Sequence, residues 1–180
     1  MAYQIARRIL VAVVAIPLTI LVVYVGRWLL VGLLAALAVL GAREFYRLAA
    51  HRGVQAFSAG GYLAAALIPI ATFLALPVGA GLPARWMAFG GALWLLGLMA
   101  ASLGRPLDQR PLAAIAVTAM GALYAGGLPA FLLLLRYPQG GASAVGATAL
   151  ALLPLVGTWI CDTAAMAGGA ALGGAKLAPA

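Results

Sequence analysis

The chain has 180 residues, 66% of them hydrophobic and only 8% charged, with a formal net charge of +8. Soluble domains carry roughly 25% charged residues, so a soluble domain is excluded. The sequence shows no apolar/polar alternation, which excludes an outer-membrane-type barrel and leaves an all-α, polytopic integral membrane helix bundle.

A hydrocarbon core takes about 20 mostly apolar residues per helix. About six such spans are predicted in chain order. The first is Ile9–Val25, whose basic start at Arg7-Arg8 resembles a signal peptide; further apolar runs follow at once, so it is read as a retained helix. The second is Trp28–Leu48, the shortest in apolar content, separated from the first by Gly26-Arg27. The third is Gly61–Val78, closed by Pro77 and the Gly79/Gly81/Pro83 cluster. The fourth is Trp86–Leu103, ended by Gly104-Arg105-Pro106, because proline disfavours helix at and before its own position. The fifth is Pro111–Leu135, followed by Arg136-Tyr137-Pro138-Gln139-Gly140-Gly141. The sixth is Ala144–Ile160, and residues 161–180 are expected as a segment on the cytoplasmic side. Gly90, Gly91, Gly97, Gly121, Gly126 and Gly127 are candidates for close helix approach, against a background of high Gly/Ala usage throughout.

The basic residues lie singly or in small groups between apolar runs. They read as topology signals and lipid-headgroup contacts, so no nucleic-acid partner is expected. With the N-terminus in the cytoplasm, the inner segments hold Arg7, Arg8, Arg43, Arg47, Arg52, Arg105, Arg110 and Lys176, and the outer ones Arg27, Arg85 and Arg136. Eight against three is a positive-inside bias. It predicts Asp162 at the cytoplasmic end of the sixth span.

Chemistry has few candidates. The acids are Glu44, Asp108 and Asp162. Glu44, beside Arg43 and Arg47, reads as a local ion pair at helical spacing. Asp108, in "GRPLDQRP", reads as a solvated loop carboxylate, and His51 as a solvated residue of a basic loop. Cys161, the lone cysteine, excludes an intrachain disulfide and reads as a small buried residue near a helix end. Asp162 differs, since a carboxylate at membrane depth is costly and tends to face a cavity or a partner. Thr163 follows it, then Gly168, Gly169, Gly173 and Gly174, then Lys176. Carboxylate, Gly-rich backbone and lysine suit a metal-bound nucleotide phosphate. The competing reading is an Ala/Gly-rich interfacial loop with one helix-terminal aspartate.

The segment "DTAAMAGGAALGGAKLAP" resembles the signature of phosphatidate cytidylyltransferases (CDP-diacylglycerol synthases), D-T-x-A-Y-x-x-G-R-x-x-G-[KR]-x-K-L-x-P. Asp162, Thr163, Ala165, Gly169, Gly173, Lys176, Leu177 and Pro179 fall in register without a gap over about eighteen positions. "ARRILVAVVAIPLTI", "GAREFYRLAAHRG" and "LYAGGLPAFLLLLR" are similar to the family's first helix, the end of its second span and the helix upstream of the signature. Met166, Ala170 and Gly174 replace the usual Tyr, Arg and Lys/Arg. The family's Ser-Pro-Lys-Lys-Thr-like run and acidic stretch would begin at Ala180, so the resemblance predicts that these residues are the N-terminal two thirds of the family's fold, with little turnover by themselves.

The resemblance implies conversion of CTP and phosphatidate to CDP-diacylglycerol and pyrophosphate, in phospholipid biosynthesis at the inner (cytoplasmic) membrane, with the active-site side facing the cytoplasm. It implies Mg²⁺ as cofactor, Asp162 as catalytic residue and metal ligand, and Lys176 as a catalytic, phosphate-contacting residue. Thr163 would hydrogen-bond the site, Gly169 and Gly173 would allow close backbone approach to substrate, and a homodimer is a possible assembly. The alternative is a non-catalytic membrane scaffold or truncated paralogue. A small transporter is disfavoured, because apart from Asp162 the sequence shows no intramembrane ionisable residue and no paired broken helices that would mark a midplane site.

Overall fold

The structure, a computed structural model, describes residues 2–172, with side chains from 13 to 169. The described residues form helices and turns without strands. In chain order the helices are α1 (Ala2–Val25), α2 (Arg27–His51), α3 (Ser58–Ala75), α4 (Ala84–Ser102), α5 (Pro111–Ala122), α6 (Leu128–Arg136) and α7 (Ala144–Leu172). A 3₁₀ turn, Leu107–Gln109, precedes α5, and a π-helical segment, Leu123–Gly127, joins α5 to α6 in one continuous rod. Among the described residues five helical stretches are long and apolar enough to cross a membrane, and Val13–Val25 of α1 is a shorter apolar stretch. With so many helices in one chain, this is a polytopic bundle.

The first helix starts earlier than expected, at Ala2 rather than Ile9, and three spans end elsewhere than the sequence predicts. The second span gains a turn and runs to His51, because Arg43–Ala50 favours helix as strongly as the apolar part. The third ends at Ala75, where Leu76 turns extended ahead of Pro77. The largest departure is the last span, expected to end at Ile160, which continues as helix to Leu172. Five alanines between Ala164 and Ala171 supply the strongest helix propensity, and Gly168-Gly169 is too short an interruption to break it.

Prolines sit inside three spans, Pro17, Pro69 and Pro154. Threonine hydroxyls nearby close the helical turn, Thr72 Oγ1 donating to Ile68 O (2.8 Å) and Thr158 Oγ1 to Pro154 O (2.8 Å). The π segment has a similar cause. Pro129 has no N–H to give the Ala125 carbonyl, and its ring would collide with that carbonyl in a regular helix; widening the preceding turn relieves both. The widened turn is pressed into α2 and α3. A Cβ at Gly126 would lie 2.6 Å from the Ala65 carbonyl oxygen, and one at Gly41 would lie 3.2 Å from Ala125 Cβ.

Two buried clusters divide the bundle along its axis. Val23, Leu30, Val31, Phe73, Leu76 and Leu133 fill the end near Gly26. Ala38, Ala42, Tyr46, Ala65, Ala122 and Ala125 fill the other. There Tyr46 is the one large side chain, and it fits because Gly61 and Gly121 leave room for its ring. Its hydroxyl donates to Thr118 O (2.8 Å), while Thr118 Oγ1, fully buried, accepts from the Phe57 N–H (2.8 Å).

The short loops then sort the charges. At the first end lie Arg27, Arg85 and Arg136; at the second lie Arg43, Arg47, Arg52, Arg105 and Arg110, with all three acids on that half. The Arg105 guanidinium bonds Gln55 O (2.6 Å) and stacks 3.7 Å from the Phe57 ring centroid, tying two loops of the second end together.

Candidate functional site

Asp162 is carried by α7, which packs on α1 and α6 and whose second half leaves the bundle surface uncovered. It lies eighteen residues beyond Ala144, which at 1.5 Å per residue is about 27 Å along the helix. A hydrocarbon core is about 30 Å thick, so with Ala144 at one boundary the carboxylate would lie close to the other, while the apolar helix continues past it to Gly169. The aspartate is therefore within a helix rather than at its end. Its depth is set by distance from Ala144 instead of by a helix terminus.

The side chain of Asp162 is exposed, and among the described residues it has no hydrogen-bond or ion-pair partner. Gly169 lies seven residues on, two turns along the same face and about 10 Å away. No atom outside its own helix would meet a Cβ there. Within α7 the N–H of Gly169 belongs to the helical ladder, bonded four residues back, rather than to a free Gly-rich loop. Thr163 is exposed and its hydroxyl donates to Trp159 O (2.7 Å), which leaves its oxygen lone pairs as acceptors. It also borders a shallow groove of about 410 Å³ along Val156, Trp159, Ile160, Ala164 and Ala167. Lys176 and Gly173 lie outside the described residues.

The other candidates fall as their local chemistry dictates. Glu44 pairs with Arg47 (2.9 Å) one turn away. Asp108 is exposed in the 3₁₀ turn, and His51 is exposed as the last residue of α2. Cys161 corrects the expectation of burial: it is exposed, because among the described residues no side chain of another helix covers that half of α7.

A divalent cation is a matter of donor chemistry. A Mg²⁺ ion that bridges to phosphates needs only one or two protein carboxylates, and Asp162 is an exposed carboxylate of that kind. It would provide one ligand; among the described residues no group of three His, Cys, Asp or Glu side chains adds to it. Sequence reasoning missed the π segment Leu123–Gly127, a feature frequent at functional sites, although Gly126-Gly127 ahead of Pro129 was its visible signal.

The apolar helix lengths, the bundle and the charge sorting define a multi-pass membrane protein. The model of the cytidylyltransferase family matches residues 6–180, and the chain belongs to that family. It is accordingly a nucleotidyltransferase-family protein with a CTP-type substrate. No curated protein and no solved structure matches it.

Proposed function

We propose that the protein is a phosphatidate cytidylyltransferase of phospholipid biosynthesis, acting at the cytoplasmic face of the inner membrane. The observation that carries this reading is family membership along nearly the whole chain. The depth of Asp162 supports it, since a lipid phosphate arriving sideways and a nucleotide arriving from water meet only at the boundary. In the reaction a phosphate oxygen of phosphatidate attacks the α-phosphorus of CTP. A new P–O bond forms, the bond to the β-phosphate bridging oxygen breaks, and pyrophosphate leaves with the electron pair.

Asp162 would hold Mg²⁺, which when bound supplies charge neutralisation for the triphosphate. The chain's own contribution is position: α7, anchored by packing on α1 and α6, carries the carboxylate about 27 Å from Ala144 on its uncovered half. Thr163 would accept a hydrogen bond beside it, and the groove along Trp159 and Ile160 would take apolar lipid. Gly169 and Gly173 would let substrate approach the helix closely, and Lys176 would contact phosphate. A homodimer belongs to the same reading; among the described residues nothing packs on Gly90, Gly91 and Gly97 of α4, which would let a second copy approach.

The second reading is a non-catalytic membrane scaffold. Met166 favours it, a large apolar side chain, 63% exposed, where a tyrosine is usual, one turn from Asp162. The test uses membranes containing the full gene product, with labelled CTP, with and without Mg²⁺, and with phosphatidate or diacylglycerol as acceptor. Mg²⁺-dependent CDP-diacylglycerol formed from phosphatidate alone supports the enzyme. No labelled lipid from either acceptor supports the scaffold.

A further inference from the structure

We propose that the end of the bundle opposite Asp162 holds a binding site for a phosphate-bearing anion, built around Arg136. A pocket of about 230 Å³ lies there between the α3–α4 turn and the start of α7, lined among others by Val78, Arg136, Tyr137, Gln139, Ala142 and Ala147. Arg136 is only 8% exposed. Its Nε donates to Val23 O (2.7 Å) and its Nη2 to Tyr24 O (2.8 Å), capping the last turn of α1. Those bonds engage two of the five N–H donors of a guanidinium. Carbonyl dipoles do not cancel its charge, and the Tyr137 ring, 5.2 Å from the guanidinium carbon, offsets it in part.

The usual partner of a buried arginine is a carboxylate. The chain has three acids, Glu44, Asp108 and Asp162, all on the other half of the bundle. None of these acids reaches Arg136, and the pocket gives an outside anion a place beside it. The start of α7 adds to the attraction. Ser143 caps it, its hydroxyl accepting from the Gly146 N–H (3.1 Å), and the positive end of the helix faces the same pocket through Ala142 and Ala147.

The surroundings favour a lipid headgroup as the source of the anion. Tyr24, Trp28 and Trp86 are exposed at this end, an aromatic belt of the kind that marks the headgroup layer. Free phosphate would satisfy the same guanidinium, so both sources enter the test.

The test places a thiol at the pocket by Ala142→Cys in a Cys161→Ser background. Its maleimide labelling rate is measured in phosphatidylcholine nanodiscs. One arm adds inorganic phosphate against chloride at equal ionic strength; the other dopes the nanodisc with phosphatidylglycerol. Labelling slowed severalfold by phosphatidylglycerol alone identifies a headgroup site, and slowing by both identifies a general phosphate site. Arg136→Gln is expected to weaken the protection at least about tenfold, as loss of a charged hydrogen-bond donor does. Should that variant fail to fold, Ala147→Leu fills the pocket while leaving the α1 cap intact, and protection is expected to vanish there too. Labelling indifferent to both anions, or protection that survives pocket filling, overturns the proposal.

Discussion

The adjacent glycines Gly126 and Gly127 should respond oppositely to the same substitution. At Gly126 an added Cβ lies 2.6 Å from Ala65 O and 3.1 Å from Ala65 Cα, both backbone atoms of α3. Ordinary contact begins near 3.4 Å, so Gly126→Ala must push α3 and the π segment apart by most of an ångström. A helix backbone cannot swing aside as a side-chain tip does. Overpacking of this kind costs about 1–3 kcal/mol, which multiplies the unfolded fraction by about 5 to 150. At Gly127 nothing lies within 4 Å, so Gly127→Ala meets open space and gains up to about 1 kcal/mol of helix propensity. The assay is reversible unfolding of each purified variant in the same detergent. Equal stabilities for the two variants, or a Gly126→Ala protein as stable as the parent, would refute the reasoning that the π segment is locked by contact with α3.

Thr118→Val should destabilise by about 1–3 kcal/mol in the same assay, because the Phe57 N–H loses its buried acceptor, whereas Thr118→Ser should recover most of the loss. Tyr46→Phe should cost less, about 0.6 kcal/mol and under about 2, since it removes one interhelical hydrogen bond and keeps the ring between Gly61 and Gly121. Topology follows from the charge sorting: a thiol added by Gln55→Cys in a Cys161→Ser background should be labelled by a membrane-impermeant maleimide from the cytoplasmic side, and one added by Gln139→Cys only from the opposite side.

The spans were legible because lipid imposes length and apolarity directly on sequence. Gly26, Pro77 and Gly104-Arg105-Pro106 mark turns in both readings. The Glu44–Arg47 pair was legible because helical spacing alone brings those side chains together. Features that depend on tertiary partners were not. Gly126 and Gly90 look alike in sequence, yet one touches the Ala65 backbone and the other touches nothing. Burial of Cys161 was expected from residue type, but exposure is decided by how much of α7 the other helices cover. The continuation of α7 past Asp162 was obscured because Gly168-Gly169 reads as punctuation while the alanines around it hold the helix. Arg136 reads as a charge ending the fifth span; only the fold reveals that it reaches the last carbonyls of α1.

The proposed transfer depends on Asp162 acting where hydrocarbon meets water, which its removal tests. Membranes holding equal amounts of parent protein and of Asp162→Asn are compared for Mg²⁺-dependent transfer of labelled CMP from CTP to phosphatidate. The expected loss for Asp162→Asn is about a hundredfold or more, the scale on which a dedicated electrostatic group at a reacting centre contributes. Transfer by the Asp162→Asn protein at the parent rate would contradict it.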